Sequence, residues 1–363
     1  MRHLAAIARR RLWNQHITRS ELRRPGDVVR WLGAVQAQEF DPATWGLALR
    51  MRDGITNARL EQAFASGEML RTHVMRPTWH FVTPHDIRWL LELTAPRVHR
   101  SAAPYRRQLE LDQRMLVRGT RLMERALRDG RHLTRPELGA HLRRAGIALD
   151  GVRLGHLAMF AELEGVMCSG PRRGRQFTYA LVAERAPQAK RLSRDESLAT
   201  LAGRYFTSHG PATVRDFVWW SGLTTADAKR GLEMNAAYRQ EVEGRTYWTI
   251  GEAASSRPRS QRVHLLPIYD EFLVAYRDRD VVPHGPSLVT PGSGAPLNFR
   301  HALVIDGQVS GTWRTTRRSA GVHIDLIAFR GLNQGERTGL ARAIQRFERF
   351  LAVSTTVTSS SRL

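Results

Sequence analysis

Apolar positions along the chain recur at helical spacing in three successive blocks, and each block closes on a stretch that alternates. In the first, residues 4–15, 27–35 and 57–65 carry helical faces, with Val28, Val29, Leu32 and Val35 on the second and Leu60 and Phe64 on the third. Residues 70–82 then alternate, Met75, Trp79 and Phe81 being apolar and Arg71, Arg76 and His80 polar, as in a β-hairpin. The order returns with helices at 121–127, 138–145 and 154–165 and a basic hairpin over 170–182; Thr134-Arg-Pro-Glu137 is a helix-start signature. It returns again with helices at 198–208, 213–221 and 225–234 and a hairpin over 238–250 that turns at Glu243-Gly244. Beyond 251 the pattern changes to strands at 263–268, 273–276, 301–305, 309–314 and 322–329, closed by a helix over 334–351 with Leu340, Ile344, Phe347 and Leu351 on one face.

Three helices and a hairpin is the order of a winged helix, and three copies of about 60 to 70 residues predict tandem units of that kind. The fold expected is α+β: a first winged helix over 1–86, a basic helical connector over 87–116, further winged helices over 117–185 and 190–251, and a β-barrel-like or curved-sheet domain with a capping helix over 262–352. Linker signals lie at 185–188 and 251–259, and the serine- and threonine-rich residues 353–363 read as a flexible tail.

Composition sharpens this. The 363 residues carry a net charge of +22, which points to a polyanion as partner. Of 56 basic residues only Lys190 and Lys229 are lysine, and arginine's planar fork suits phosphate better. The single Cys168 excludes an internal disulfide and any multi-thiolate metal site, which fits a reducing cytoplasm. No apolar run is long enough for a signal peptide or a membrane span. Phosphate-binding glycine loops, a dinucleotide fingerprint, a zinc helix and a nucleophile elbow are all absent from the sequence, so no cofactor, nucleotide or metal is expected. His80 and His85 lack the further ligands that a zinc set needs.

The stretch that carries chemistry is 31–50. Gln36 and Gln38 stand two apart, so extended backbone turns both amides to one side and Ala37 to the other. Asp41-Pro42 is expected to bar an immediate return to helix. Taken alone, such a pair reads as ordinary surface, and the plain alternative for a basic winged-helix chain is a non-catalytic transcriptional regulator. Regulators of this type usually carry one recognition module per subunit and dimerise. Three modules in one chain suit a monomeric clamp on a long stretch of backbone.

Gln-Ala-Gln-Glu-Phe-Asp-Pro-Ala-Thr-Trp-Gly-Leu-Ala-Leu-Arg50, with Arg76-Pro-Thr-Trp-His-Phe-Val-Thr-Pro-His-Asp86, Leu266-Pro-Ile-Tyr-Asp-Glu-Phe-Leu-Val-Ala-Tyr-Arg-Asp-Arg279 and Val304-Ile-Asp-Gly-Gln-Val-Ser-Gly-Thr-Trp-Arg314, resembles the bacterial winged-helix DNA glycosylases of the AlkZ-like and YcaQ-like group. The resemblance covers roughly 4–351. It implies excision of alkylated bases from double-stranded DNA and unhooking of interstrand cross-links, with Gln36 and Gln38 as the catalytic pair. The Gln-x-Gln form looks like the self-resistance branch of the group, found in producers of DNA-alkylating antibiotics.

The chemistry is compatible. An N7-alkylated guanine is already cationic and leaves readily, so what remains is to stabilise an oxocarbenium-like sugar and place a water, which oriented amide dipoles can do. Gln38 is assigned to the water and Gln36 to orienting it or the sugar-phosphate, the reverse being equally compatible. DNA contacts are expected from His80, from Arg172, Arg173 and Arg175 at the second hairpin, and from Arg277, Arg279, Trp313 and Arg314 on the C-terminal domain. With neither lysine near a motif, no Schiff base is expected, and the enzyme should leave an abasic site uncut.

Overall fold

A computed structural model describes residues 2–19, 21–251, 263–278, 280–282, 300–319 and 321–361. The first part holds α1 (Arg2–Asn14), α2 (Pro25–Leu32), β1 (Val35–Gln36), α3 (Phe40–Ala48), α4 (Asn57–Ser66), β2 (Leu70–Val74) and β3 (Arg76–Val82). The long α5 (Ile87–Gln108) leads to α6 (Gln113–Leu127), β4 (Leu133–Thr134), α7 (Arg135–Arg144), α8 (Gly151–Leu163), β5 (Met167–Ser169), β6 (Thr178–Leu181) and the single turn α9 (Val182–Arg185). Then come α10 (Arg194–Ser208), α11 (Val214–Ser221), α12 (Thr225–Glu233), β7 (Ala237–Val242) and β8 (Arg245–Ile250). The last part holds β9 (Val263–Leu266), α13 (Glu271–Val274), β10 (His301–Ile305), β11 (Gln308–Arg318), β12 (Gly321–Ala328), α14 (Gln334–Leu351) and β13 (Thr355–Ser361).

One topology recurs. A short strand between the first and second helix pairs with the last strand of the hairpin, giving sheet orders β1-β3-β2 and β4-β6-β5. The third copy keeps only a single bridge at that place, Ala212 to Trp248, beside the β7-β8 ribbon. Helix starts are sealed by their own side chains: Thr134, Ser193, Thr213, Thr224 and Asn333 each form a reciprocal capping box with the acid three residues on. In the first copy the equivalent helices are α2, α3 and α4, and α1 is an addition.

Four expectations are corrected. Helix α3 begins at Phe40, because Pro42 falls in its first turn, where the missing N–H costs no hydrogen bond. Residues 273–276 do not form a strand: Asp270 caps the turn α13 by accepting from the Phe272 N–H at 2.9 Å. The supposed tail contributes β13, which runs parallel to β12 from Val322 opposite Thr355 to Ala328 opposite Ser361. Among the described residues the C-terminal sheet is open, in the order β13-β12-β11-β10-β9, rather than closed as a barrel.

The largest core joins the first copy to this sheet. Trp45 on α3 donates its Nε1–H to Leu265 O at 2.7 Å and meets Phe347 of α14 edge to face at 4.9 Å. Arg346 of α14 reaches back to cap α3, donating to Ala48 O and Met51 O at 2.9 and 2.7 Å. A second core packs α5 and β2 on Tyr205, Phe206, Phe217 and Trp220, and a third fills the middle copy around Leu138, Leu157 and Phe160. Strand β1 lies where the first two cores meet: Ala34 belongs to one, Val35 and Ala37 to the other.

Candidate active site

Helix α2 is stopped at Gly33, whose φ of 85° favours glycine and whose turn rests on Trp220; a Cβ there would lie 3.3 Å from that ring. The chain then runs into β1, antiparallel to β3, with Val35 opposite Phe81 and Gln36 opposite His80. Val35 and Ala37 turn into the core, so Gln36 faces the other way. It is 9% exposed and Gln38 is half-buried. Neither side-chain amide has a hydrogen-bond partner among the described residues, so both remain available.

Their backbone, in contrast, is held at every turn. Ala37 N–H donates to Trp79 O at 2.8 Å along the ladder. Arg71 Nε–H donates to Ala37 O at 2.9 Å, with Nη2 3.4 Å from Gln38 O. Gln36 N–H donates to Glu271 Oε1 at 2.7 Å. Arg71 is itself fixed between Trp79 and Phe177, its guanidinium carbon 4.5 Å from each ring centre, and burial pulls its pKa down to about 10. Trp79 donates to Glu162 Oε1 at 3.3 Å, and Glu162 Oε2 lies 2.6 Å from His73 Nδ1.

Glu271 is buried on α13. Its second oxygen accepts from Trp220 Nε1 at 2.9 Å and lies 3.5 Å from His209 Nε2. Burial alone would raise its pKa, but His209 and the Gln36 N–H hold it below the usual carboxylate range, so it is ionised. Next to it, Asp270 grips Arg50 through both oxygens at 2.8 and 2.9 Å, and Arg50 also donates to Gly46 O and Gln15 Oε1. The capped turn that presents Glu271 is thereby tied to the end of α3.

On the side of β1 away from Val35 and Ala37 the cross-strand row is Gln36, His80, Thr72. His80 is fully buried, and burial beside Arg76 pushes its pKa to about 3. The ring is neutral: Nδ1–H donates to Thr78 O at 2.9 Å and Nε2 is left as an unpartnered acceptor, as are Thr72 Oγ1 and Thr78 Oγ1. The structure thus brings Gln36 and His80 together across the ladder, with Gln38 just beyond the strand, but it corrects His80 from an expected DNA contact to a sealed neutral acceptor.

The other expected contacts divide. Arg172 is only 14% exposed in its side chain and pairs with Asp41 and Glu61 at 3.0 and 2.6 Å over the faces of Phe40 and Phe177, so it docks the second hairpin onto α3 and α4 rather than facing outward. Arg173 is taken by Glu137 Oε1 and His132 O, each at 2.8 Å, whereas Arg175 sits exposed at the hairpin tip. Trp313 is corrected to a core residue: it is 4% exposed, donates to Leu266 O at 2.9 Å and packs on His301 and Phe347. Arg277 is exposed, and so is Arg314 even though Asp325 holds its Nε at 3.0 Å. Arg279 lies outside the described residues.

Sequence reasoning missed the supports, Arg71, Glu271, Asp270, Arg50, His209 and Trp220. The one available signal was Asp270-Glu271 before an apolar run, an N-cap pattern that marks a short helix and not a strand. Among the described residues no cluster of His, Cys, Asp and Glu suits a metal ion, and no helix is long and apolar enough to cross a membrane.

A family model described as DNA glycosylase AlkZ-like matches residues 29–350. The chain is 28% identical over 302 residues to the interstrand DNA cross-link repair glycosylase of Streptomyces sahachiroi, a match covering 79% of this chain and 81% of that protein. The solved structure of Streptomyces sahachiroi DNA glycosylase AlkZ has the same fold, with a TM-score of 0.79 at 23% identity over 98% of this chain and 99% of that one.

Proposed function

The chain belongs to the AlkZ-like DNA glycosylase family, and from that premise we propose that it hydrolyses the N-glycosidic bond of bulky N7-alkylguanine adducts in double-stranded DNA, with Gln36 and Gln38 as the catalytic pair. It also unhooks interstrand cross-links, as the name of its Streptomyces relative states for that protein, and serves self-resistance to a DNA-alkylating natural product. The three repeats of helices and sheet are winged helices that grip the duplex as one clamp.

The observation that carries this reading is the contrast at 36–38: three fixed backbone contacts beneath two unpartnered amides. Preorganised neutral dipoles suit a reaction whose leaving group is already cationic. As the bond from C1′ to N9 breaks, its electron pair neutralises the purine; water adds to C1′ and its proton passes to solvent. Gln38 places that water and Gln36 orients it or the adjoining sugar. Neither amide is a base strong enough for an ordinary purine, so undamaged DNA is spared. Glu271 stays behind the strand and touches no substrate. Lys229 is exposed on α12 and Lys190 lies in a linker, so neither lysine serves for a Schiff base and the strand is left intact.

The test is release of free base from DNA carrying one N7-alkylguanine, measured by mass spectrometry. Wild type should release it without nicking the strand, and Gln36→Ala/Gln38→Ala should not. Equal release by both, or none by either, refutes the assignment, and a borohydride-trapped adduct refutes the strand-sparing mechanism.

A further inference from the structure

Gln36 and His80 are the middle pair of the short antiparallel ladder, and the next pair along, Ala37 with Trp79, is a hydrogen-bonded one. Pairs of the two kinds alternate, so the Gln36 N–H points away from β3, toward the open edge of the sheet. An edge N–H normally goes to solvent. Here it meets Glu271 Oε1 at 2.7 Å, from a carboxylate that is 1% exposed.

We propose that Glu271 is a positioning residue, which fixes the outer edge of β1 and through it the direction of the Gln36 amide. The proposal rests on the reading of Gln36 as a catalytic group. A strand of two residues has too few ladder bonds to be rigid alone, and β3 and Arg71 hold it from one side only. A charge-assisted hydrogen bond to the opposite edge is about twice as strong as a neutral one and prevents rotation about the ladder. Glu271 is in turn oriented by Trp220 Nε1 and His209 from the third repeat, and by the Asp270 cap tied to Arg50. The third repeat therefore sets the geometry of the first.

Glu271→Gln separates this role from mere packing, since it keeps the shape. An amide has a single acceptor oxygen, so it cannot accept from both the Gln36 N–H and the Trp220 Nε1–H; its NH2 must face one of them. Adding Trp220→Phe removes the second donor and lets the new amide turn its oxygen to Gln36. In the full-length protein, Glu271→Gln should lower the single-turnover excision rate constant by ~10- to 100-fold, leave the Kd for lesion DNA unchanged, and speed hydrogen exchange at the Gln36 amide. The double variant should recover both, with Trp220→Phe alone as control. If wild type is active and Glu271→Gln excises as fast, or if Gln36 exchange does not change, the proposal falls. If wild type releases no base, the catalytic reading fails instead, and the exchange measurement still decides whether Glu271 holds the strand.

Discussion

Acid should unfold this protein earlier than its paired carboxylates would suggest, because two buried rings and one half-buried ring are built into it in their neutral form. His301 Nδ1 accepts the Ile268 N–H at 3.1 Å, His16 Nε2 accepts from Arg19 Nη2 at 3.1 Å, and His80 lies beside Arg76 with its Nδ1–H already given to Thr78 O. Protonating the first two sets donor against donor, and protonating the third adds a cation to a sealed site. Burial accordingly pulls their pKa values from 6.5 to about 4, about 4 and about 3 for His301, His16 and His80. The unfolded chain takes up these protons near 6.5 and the folded chain only near 4 or below. Stability is therefore whole above pH 6.5 and drains as pH falls toward the folded values. Each ring contributes roughly 1.4 kcal/mol per pH unit in that window, so the three together remove on the order of 6 kcal/mol by pH 5. That is comparable to a typical total stability of about 5–15 kcal/mol. Glu137 and Glu336, held down to about 2 by their partners, remain ionised throughout and do not account for the loss. The assay is urea unfolding followed by tryptophan fluorescence at pH 7.5, 6.5, 5.5 and 5.0. The unfolding free energy should fall steeply below 6.5, and the fall should be shallower in His301→Gln. A flat profile down to pH 5 would refute the reasoning.

Arg71→Met should cost less stability than its lost contacts suggest: it gives up a charged hydrogen bond and two ring contacts, but it also relieves the burial that pulls the guanidinium pKa down to about 10. Excision should nonetheless fall by ~10-fold or more as Ala37 O and Gln38 O are released; a fold that melts, or a rate that holds, contradicts this. Arg50→Met leaves Asp270 buried without its cation and should cost about 3–5 kcal/mol in urea unfolding, and a loss under 1 kcal/mol would show the pair to be dispensable. Burial pushes the Cys168 thiol up to about 12, so N-ethylmaleimide at pH 7 should label the protein only after denaturation; labelling of the native chain would show that the site opens.

What the sequence discloses and what it hides follow the range of the interactions. The hairpin over 70–82, the capping box at Thr134 and the closing helix rest on neighbours within a few residues, and the pattern alone reveals them. Residues 273–276 offer four apolar positions that a strand and a buried helical turn present alike, and only the Asp270 cap distinguishes them. Strand β13 has no apolar alternation; it exists because β12 offers an unpaired edge. A large aromatic such as Trp313 suits stacking on a base and filling a core alike, and what decides for the core is its packing on Phe347 of α14, a contact no local window contains.

The motif shows the same division inside one site. Gln36 and Gln38 are legible as a pair, whereas the groups that hold their backbone are 34 residues away at Arg71 and 235 away at Glu271. Both supports are charged, both are buried, and both touch backbone rather than the glutamine side chains. That arrangement follows from using amides. A catalytic carboxylate or imidazole would have its pKa shifted by an ionised neighbour 2.7 Å from its own backbone, so a scaffold built from Glu271 and Arg71 would have to be tuned against it. A neutral amide has no proton to disturb; it needs direction alone, and buried charges supply direction more firmly than neutral groups do. On the proposed role of Gln36, the neutral amide and the charged cradle beneath it belong together, and a variant with an acid at position 36 should need Glu271 replaced before its pH profile becomes regular.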